Sequence, residues 1–153
     1  MVRNTSLKKY LLIFAGIHLG LMVVAAVVLT LLDLEGNAGI NMGILIGSAT
    51  ATGHYFIKDH QRLPTGTEKT WLIFLSFLAS VLVSLLFAAV VAVTEPDGVA
   101  MLWSMLQEQA MVLLVIMAVV SVVYLLVLWL SYSFLLGRQF KAMQKKAASD
   151  RSS

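Results

Sequence analysis

One histidine, one asparagine and a row of serines stand out among the polar side chains embedded in long apolar stretches of this sequence, and each opens a different chemical option. His18 is the sharpest. It follows Tyr10 into the first apolar run by roughly 12 Å along a helix, and an ionisable group at such a depth is a functional candidate by default. Its plainest role is a neutral imidazole bonded to a neighbouring serine or carbonyl; the alternatives are proton, ligand or metal handling. Asn41 is the second candidate for an intramembrane polar site. Ser76, Ser80 and Ser84 recur every fourth residue, and Ala88 and Ala92 continue the row. A serine nucleophile needs a base within hydrogen-bond reach. None lies at a matching depth, so the row reads as small helix-contact residues.

Other catalytic sets are missing. The chain has no cysteine, which removes disulfides, thiolate nucleophiles, cysteine zinc sites and covalently attached haem. GxSxG, a P-loop and a paired intramembrane aspartate are all lacking. His54, Asp59, His60 and Glu68 form a loose group without HxxxH or HExxH spacing, so no metal is expected. His18 and His54 would differ in depth by roughly 7 Å or more, too much for two axial ligands of one haem. No cofactor is expected, and no enzymatic activity.

The most specific spacing is a ladder of small residues: Gly39, Gly43, Gly47 and Ala51. Small residues at four-residue intervals strip one helix face, so another backbone can approach closely. The ladder therefore reads as internal helix packing or as an interface for a partner helix. Gly16 and Gly20 make a shorter version.

The elements that hold these residues are membrane spans. The sequence is 59% hydrophobic and only 12% charged, far from the roughly 25% charged of soluble domains. Spans are expected at about 10–32, 38–57, 70–93 and 110–136. The first is too long for a secretory signal and lacks a small-x-small cleavage site, so it reads as retained. The second is the least apolar, and topology argues for it. The third begins after Pro64 with Thr65 and Glu68 spaced as a capping box. The stretch Val99 to Leu136 would be roughly 57 Å as one helix, nearly twice a bilayer core. Gln107, Glu108 and Gln109 divide it, leaving Val99–Leu106 as a short outer interfacial helix marked by Trp103.

All eleven lysines and arginines precede the first span, lie between the second and third, or follow the fourth. Asp33, Glu35, Glu95, Asp97 and Glu108 occupy the other connections. Basic residues are retained in the cytoplasm, which predicts an inner-membrane, multi-pass protein with both termini inside. The fold expected is all-α: four antiparallel transmembrane helices and one interfacial helix in a single membrane domain. Tyr10, Tyr55, Trp71, Trp129 and Tyr132 all fall at the depth of a cytoplasmic aromatic belt. The basic tail, 137–153, reads as a frayed helix end whose Arg138, Lys141, Lys145 and Lys146 reach lipid headgroups. No stretch interleaves basic and aromatic residues as a nucleic-acid platform would.

The loop Gly53-His54-Tyr55-Phe56-Ile57-Lys58, continuing through Arg62-Leu63-Pro64-Thr65 to Glu68, resembles a family of small four-helix bacterial inner-membrane proteins of unknown function. In that family an aromatic and a lysine, then Arg-x-Pro-Thr and a glutamate, recur in the central loop. The resemblance covers this loop and the overall layout, and implies no activity. The small multidrug-resistance exporters, also short four-helix proteins, depend on a carboxylate within the first span. Here no span interior holds Asp, Glu, Lys or Arg.

Two functions are expected from these features. The first is a non-catalytic membrane protein that acts by helix–helix contact, with a membrane partner or with itself. An immunity-type protein against a membrane-inserting toxin is one concrete form. The second is a small transporter or pore using His18, Asn41 and the serine row.

Overall fold

The computed structural model describes residues 7–149, so Arg3 and Arg151 lie outside the described residues. These fold entirely as helices and connecting turns, with no strand among them. α1 is Lys8–Leu31, α2 Ala38–His60, α3 Gly66–Thr94, α4 Gly98–Glu108 and α5 Ala110–Leu130. A π turn, Ser131–Leu135, carries α5 directly into α6, Leu136–Ser149.

Local chemistry sets the boundaries. Asn37 caps α2 by accepting from the Ile40 amide at 3.1 Å. At the start of α3 the expected capping box is present: the Glu68 amide donates to Thr65 Oγ1 at 3.4 Å, and the Thr65 amide donates to Glu68 Oε2 at 2.9 Å. Two groups that a helix start leaves without partners are thereby satisfied reciprocally. Asp97, at φ 63°, turns the chain into α4. The next residue must be glycine, because a Cβ at Gly98 would stand 2.5 Å from the Ala92 carbonyl oxygen. Gln109 leaves helical geometry and separates α4 from α5, so the long apolar stretch divides where its three polar residues fall.

Among the described residues three helices are long and apolar enough to cross a membrane: Lys8–Leu31, Gly66–Thr94 and the continuous run Ala110–Lys145. The expected second span forms a helix, but α2 is not among these three. Its surroundings explain how it tolerates low hydropathy. Eight of its residues are buried, from Ile44 to Ile57, whereas α5 buries only Leu128. The hydroxyls of Ser48 and Thr52 turn back onto the carbonyls of Ile44 and Ser48 at 2.7 and 2.8 Å, so this buried face leaves few polar atoms unpaired.

The core gathers at one end, where Tyr10, Phe14, Phe56, Ile57, Leu72, Leu128, Tyr132 and Leu136 pack together. Two members of the expected aromatic belt therefore turn inward. Tyr10 and Tyr132 are buried, each with its hydroxyl held by a protein partner, while Tyr55, Trp71 and Trp129 remain exposed. The tail also departs from the frayed end expected of it. α6 continues without a break, and Phe140 and Met143 pack against the core.

Candidate functional site

Two concave sites share α2 as a wall but no lining residue. The first is lined by buried His18, half-buried Ser84 and exposed Asn41, residues from three different helices. His18 is 3% exposed and stacks on Phe14 with ring centroids 5.4 Å apart. Its Nδ1 lies 3.4 Å from Ser48 Oγ, the serine partner that a packing histidine requires. With Met22, Ile44, Phe87 and Tyr124, these three line a cavity of about 370 Å³. Tyr124 is the member that sequence reasoning missed, since a lone tyrosine in an apolar run carries no spacing signal. Ser84 and Tyr124 also line an adjoining apolar crevice of about 320 Å³ between α3 and α5.

The rest of the serine row serves packing. Ser76 Oγ meets the Tyr132 hydroxyl at 2.9 Å in buried surroundings, and Ser80 Oγ donates to the Phe77 carbonyl at 2.8 Å. A buried tyrosine hydroxyl needs such a partner in a low-dielectric interior, and small serines on α3 let the π turn come close enough to provide it.

The second site is the glycine ladder. Gly43, Gly47 and Ala51 line an open groove of about 650 Å³ with Thr50, His54, Tyr55, Leu135 and Gln139. A Cβ at Gly43 would meet nothing within 4 Å, and one at Gly47 only Leu21 Cδ1 at 3.5 Å. Gly39, in the first turn, faces the Asn37 cap at 3.1 Å. The ladder is thus not where this chain's own helices approach most closely. On α2 the glycine crowded by a neighbouring helix is Gly53, where a Cβ would stand 2.5 Å from Leu136 Cδ1. Within the groove, Gln139 Oε1 is buried without a hydrogen-bond partner among the described residues. Gly16 and Gly20 meet nothing within 4 Å.

The loop between α2 and α3 divides the loose group of acids and histidines. Asp59 pairs with Lys9 at 2.6 Å and accepts from the Tyr10 hydroxyl at 2.8 Å. The Lys9 ammonium, then that hydroxyl, hold its carboxyl below the usual aspartate range. His60 stacks on Phe56 at 4.5 Å and approaches the same Tyr10 hydroxyl. Glu68 instead accepts two parallel bonds from Arg62, at 2.7 and 2.8 Å, which raise the guanidinium pKa. The spacing Arg-x-Pro-Thr-x-x-Glu therefore has a physical sense: one carboxylate caps α3 and clamps the loop leading into it. His54 lies apart, on the groove.

No family model, curated protein or solved structure matches this chain. Function has to be read from these sites. On α6, Arg138, Lys141 and Lys145 are exposed, and Arg138 lies 5.4 Å from the Phe134 ring centroid. The side chain of Lys146 lies outside the described residues.

Proposed function

We propose that this is a non-catalytic inner-membrane protein that recognises a partner helix through the bare face of α2. In this reading α1, α2, α3 and α5 cross the bilayer antiparallel, both termini are cytoplasmic, and α4 lies in the outer interface. The basic residues all fall on the side this topology assigns to the cytoplasm. Contacts of Tyr10 with Asp59 and of His18 with Ser48 are those of oppositely directed neighbours. The low apolarity of α2 is consistent with a span sheltered by protein.

The observation that carries the reading is the open ladder. Lipid tails are as apolar as leucine, so helices associate in a bilayer through close packing and hydrogen bonds rather than expulsion of water. Gly43 and Gly47 offer a partner's backbone close approach, since a Cβ at Gly43 would meet nothing within 4 Å and one at Gly47 only the end of Leu21. An immunity-type protein that captures a membrane-inserting toxin is one form of such a helix binder. The test is affinity isolation from native membranes with wild type and Gly43→Leu side by side. The variant should keep its unfolding midpoint in detergent yet lose the co-purified partner. Retention of every partner by Gly43→Leu would defeat the reading.

The transporter reading is favoured by a different observation, the meeting of His18, Asn41 and Ser84 at one cavity. It requires solute flux by the purified protein in liposomes, which a helix binder would not show without its partner.

A further inference from the structure

The cavity of His18, Asn41, Ser84 and Tyr124 has features that helix packing leaves unexplained. Asn41, which is exposed, and the half-buried Ser84 and Tyr124 make no side-chain hydrogen bond among the described residues, although Thr50, Ser76, Ser80, Thr94 and Ser121 on the same helices all do. Polar groups at membrane depth cost several kcal/mol each when nothing satisfies them. His18 adds a directional clue. Ser48 Oγ spends its proton on the Ile44 carbonyl at 2.7 Å, so towards His18 it can only accept. Nδ1 of the neutral ring then carries the hydrogen, and Nε2 is left as an acceptor with no partner among the described residues.

The remaining chemistry narrows what such a site takes. No Asp, Glu, Lys or Arg lines the cavity, so a charged ligand would be left unpaired in a low-dielectric interior. The adjoining crevice, which meets the cavity at Ser84 and Tyr124, is walled by apolar side chains including Val81, Leu85, Ile116 and Val120. Leu85 and Ile116 are 56% and 52% exposed, so the crevice opens sideways between α3 and α5. Each space is within the roughly 300–1,000 Å³ usual for small-molecule sites.

We infer that the two spaces form one binding site for an uncharged, single-chain amphipath, with a hydroxyl-type head in the cavity and its tail in the crevice. The head donates to His18 Nε2 and accepts from Ser84, Tyr124 or the Asn41 amide. The ligand enters laterally from the bilayer. None of the residues that line this site lines the glycine groove, so it stands or falls independently of partner-helix recognition.

The test uses 1-hexadecanol with a diazirine near its tail end, irradiated with the full-length protein in phosphatidylcholine nanodiscs. Mass spectrometry should place the label on α3 and α5 around Leu85, Ala88, Ile116 and Met117. Excess unlabelled 1-hexadecanol should abolish it, whereas hexadecane and hexadecyltrimethylammonium should not. Ser84→Ala with Tyr124→Phe should weaken the competition by about tenfold, equivalent to ~1.4 kcal/mol. Ala88→Trp, which fills the crevice from an exposed position, should remove the label while the unfolding midpoint is unchanged. Labelling spread evenly over the lipid-facing helices would overturn the proposal, as would equal competition by hexadecane. So would an unchanged competition constant in the Ser84→Ala, Tyr124→Phe protein, even if Ala88→Trp proved unstable.

Discussion

Replacing Gly53 by alanine sets two known effects against each other. In a helix interior the change is favourable by about 0.8–1.0 kcal/mol, because glycine has more backbone freedom to lose. Against this, the new methyl would stand 2.5, 3.2 and 3.4 Å from Leu136 Cδ1, Cδ2 and Cγ. Three atoms of one side chain are involved, and Leu136 is itself 1% exposed, so it cannot swing into free space. Overpacking of this kind typically costs about 1–3 kcal/mol, which leaves Gly53→Ala between neutral and roughly 2 kcal/mol destabilising. The control is Gly43→Ala, where the same methyl meets nothing within 4 Å and the propensity gain stands alone. The informative quantity is the difference between the two variants, about 1–3 kcal/mol. Unfolding by SDS in dodecylmaltoside micelles, followed by circular dichroism, measures it. Adding Leu136→Ala to both proteins provides the second check. With the leucine gone the clash disappears, so the penalty specific to Gly53→Ala should vanish as a coupling energy of that size. Equal midpoints for Gly53→Ala and Gly43→Ala would refute the close approach of α2 to α6.

Two further outcomes are expected. A periplasm-sensitive reporter fused after Ser153 or within residues 61–65 should read cytoplasmic, and one at Gly36 or Gly98 should read outside; a cytoplasmic signal at Gly36 would remove α2 as a span. The Asp59 carboxyl is held below its ordinary 3.8 by Lys9 and Tyr10, so its contribution is complete above the unfolded value and is lost as pH falls through the lower, folded one. Micellar stability should accordingly decline below roughly pH 4, and Asp59→Asn should flatten that decline; parallel curves for the two proteins would show the contact to be without energetic weight.

What could be read from the sequence was local. The capping box needs only Thr65 and Glu68 at the right spacing, and both bonds are present. The break at Gln109 follows from three polar residues interrupting an apolar run that is too long for one span. Relations between helices were harder to read. The ladder of Gly39, Gly43, Gly47 and Ala51 and the buried stripe of Ser48, Thr52 and Gly53 are both rows of small residues on one helix. Nothing along the chain states which row meets neighbours. Tyr10 and Tyr132 have the composition of belt residues but turn inward to partners in Asp59 and Ser76, which lie 49 and 56 positions away along the chain. The π turn has neither proline nor glycine to announce it.

That turn works as a phase shifter. An α-helix advances about 100° per residue, and a π turn accommodates roughly one extra residue without breaking the rod. Everything after Leu135 is therefore rotated about a quarter-turn relative to a straight continuation of α5. The rotation aims Leu136 at Gly53 and keeps Phe140 and Met143 on the bundle, with Arg138 and Lys141 on the outside. Loss of a single residue between 131 and 135 would leave the composition of the tail untouched and turn its apolar stripe away from the core. The orientation of the basic row is thus governed by a length, the number of residues in the turn, and not by the identity of any one of them.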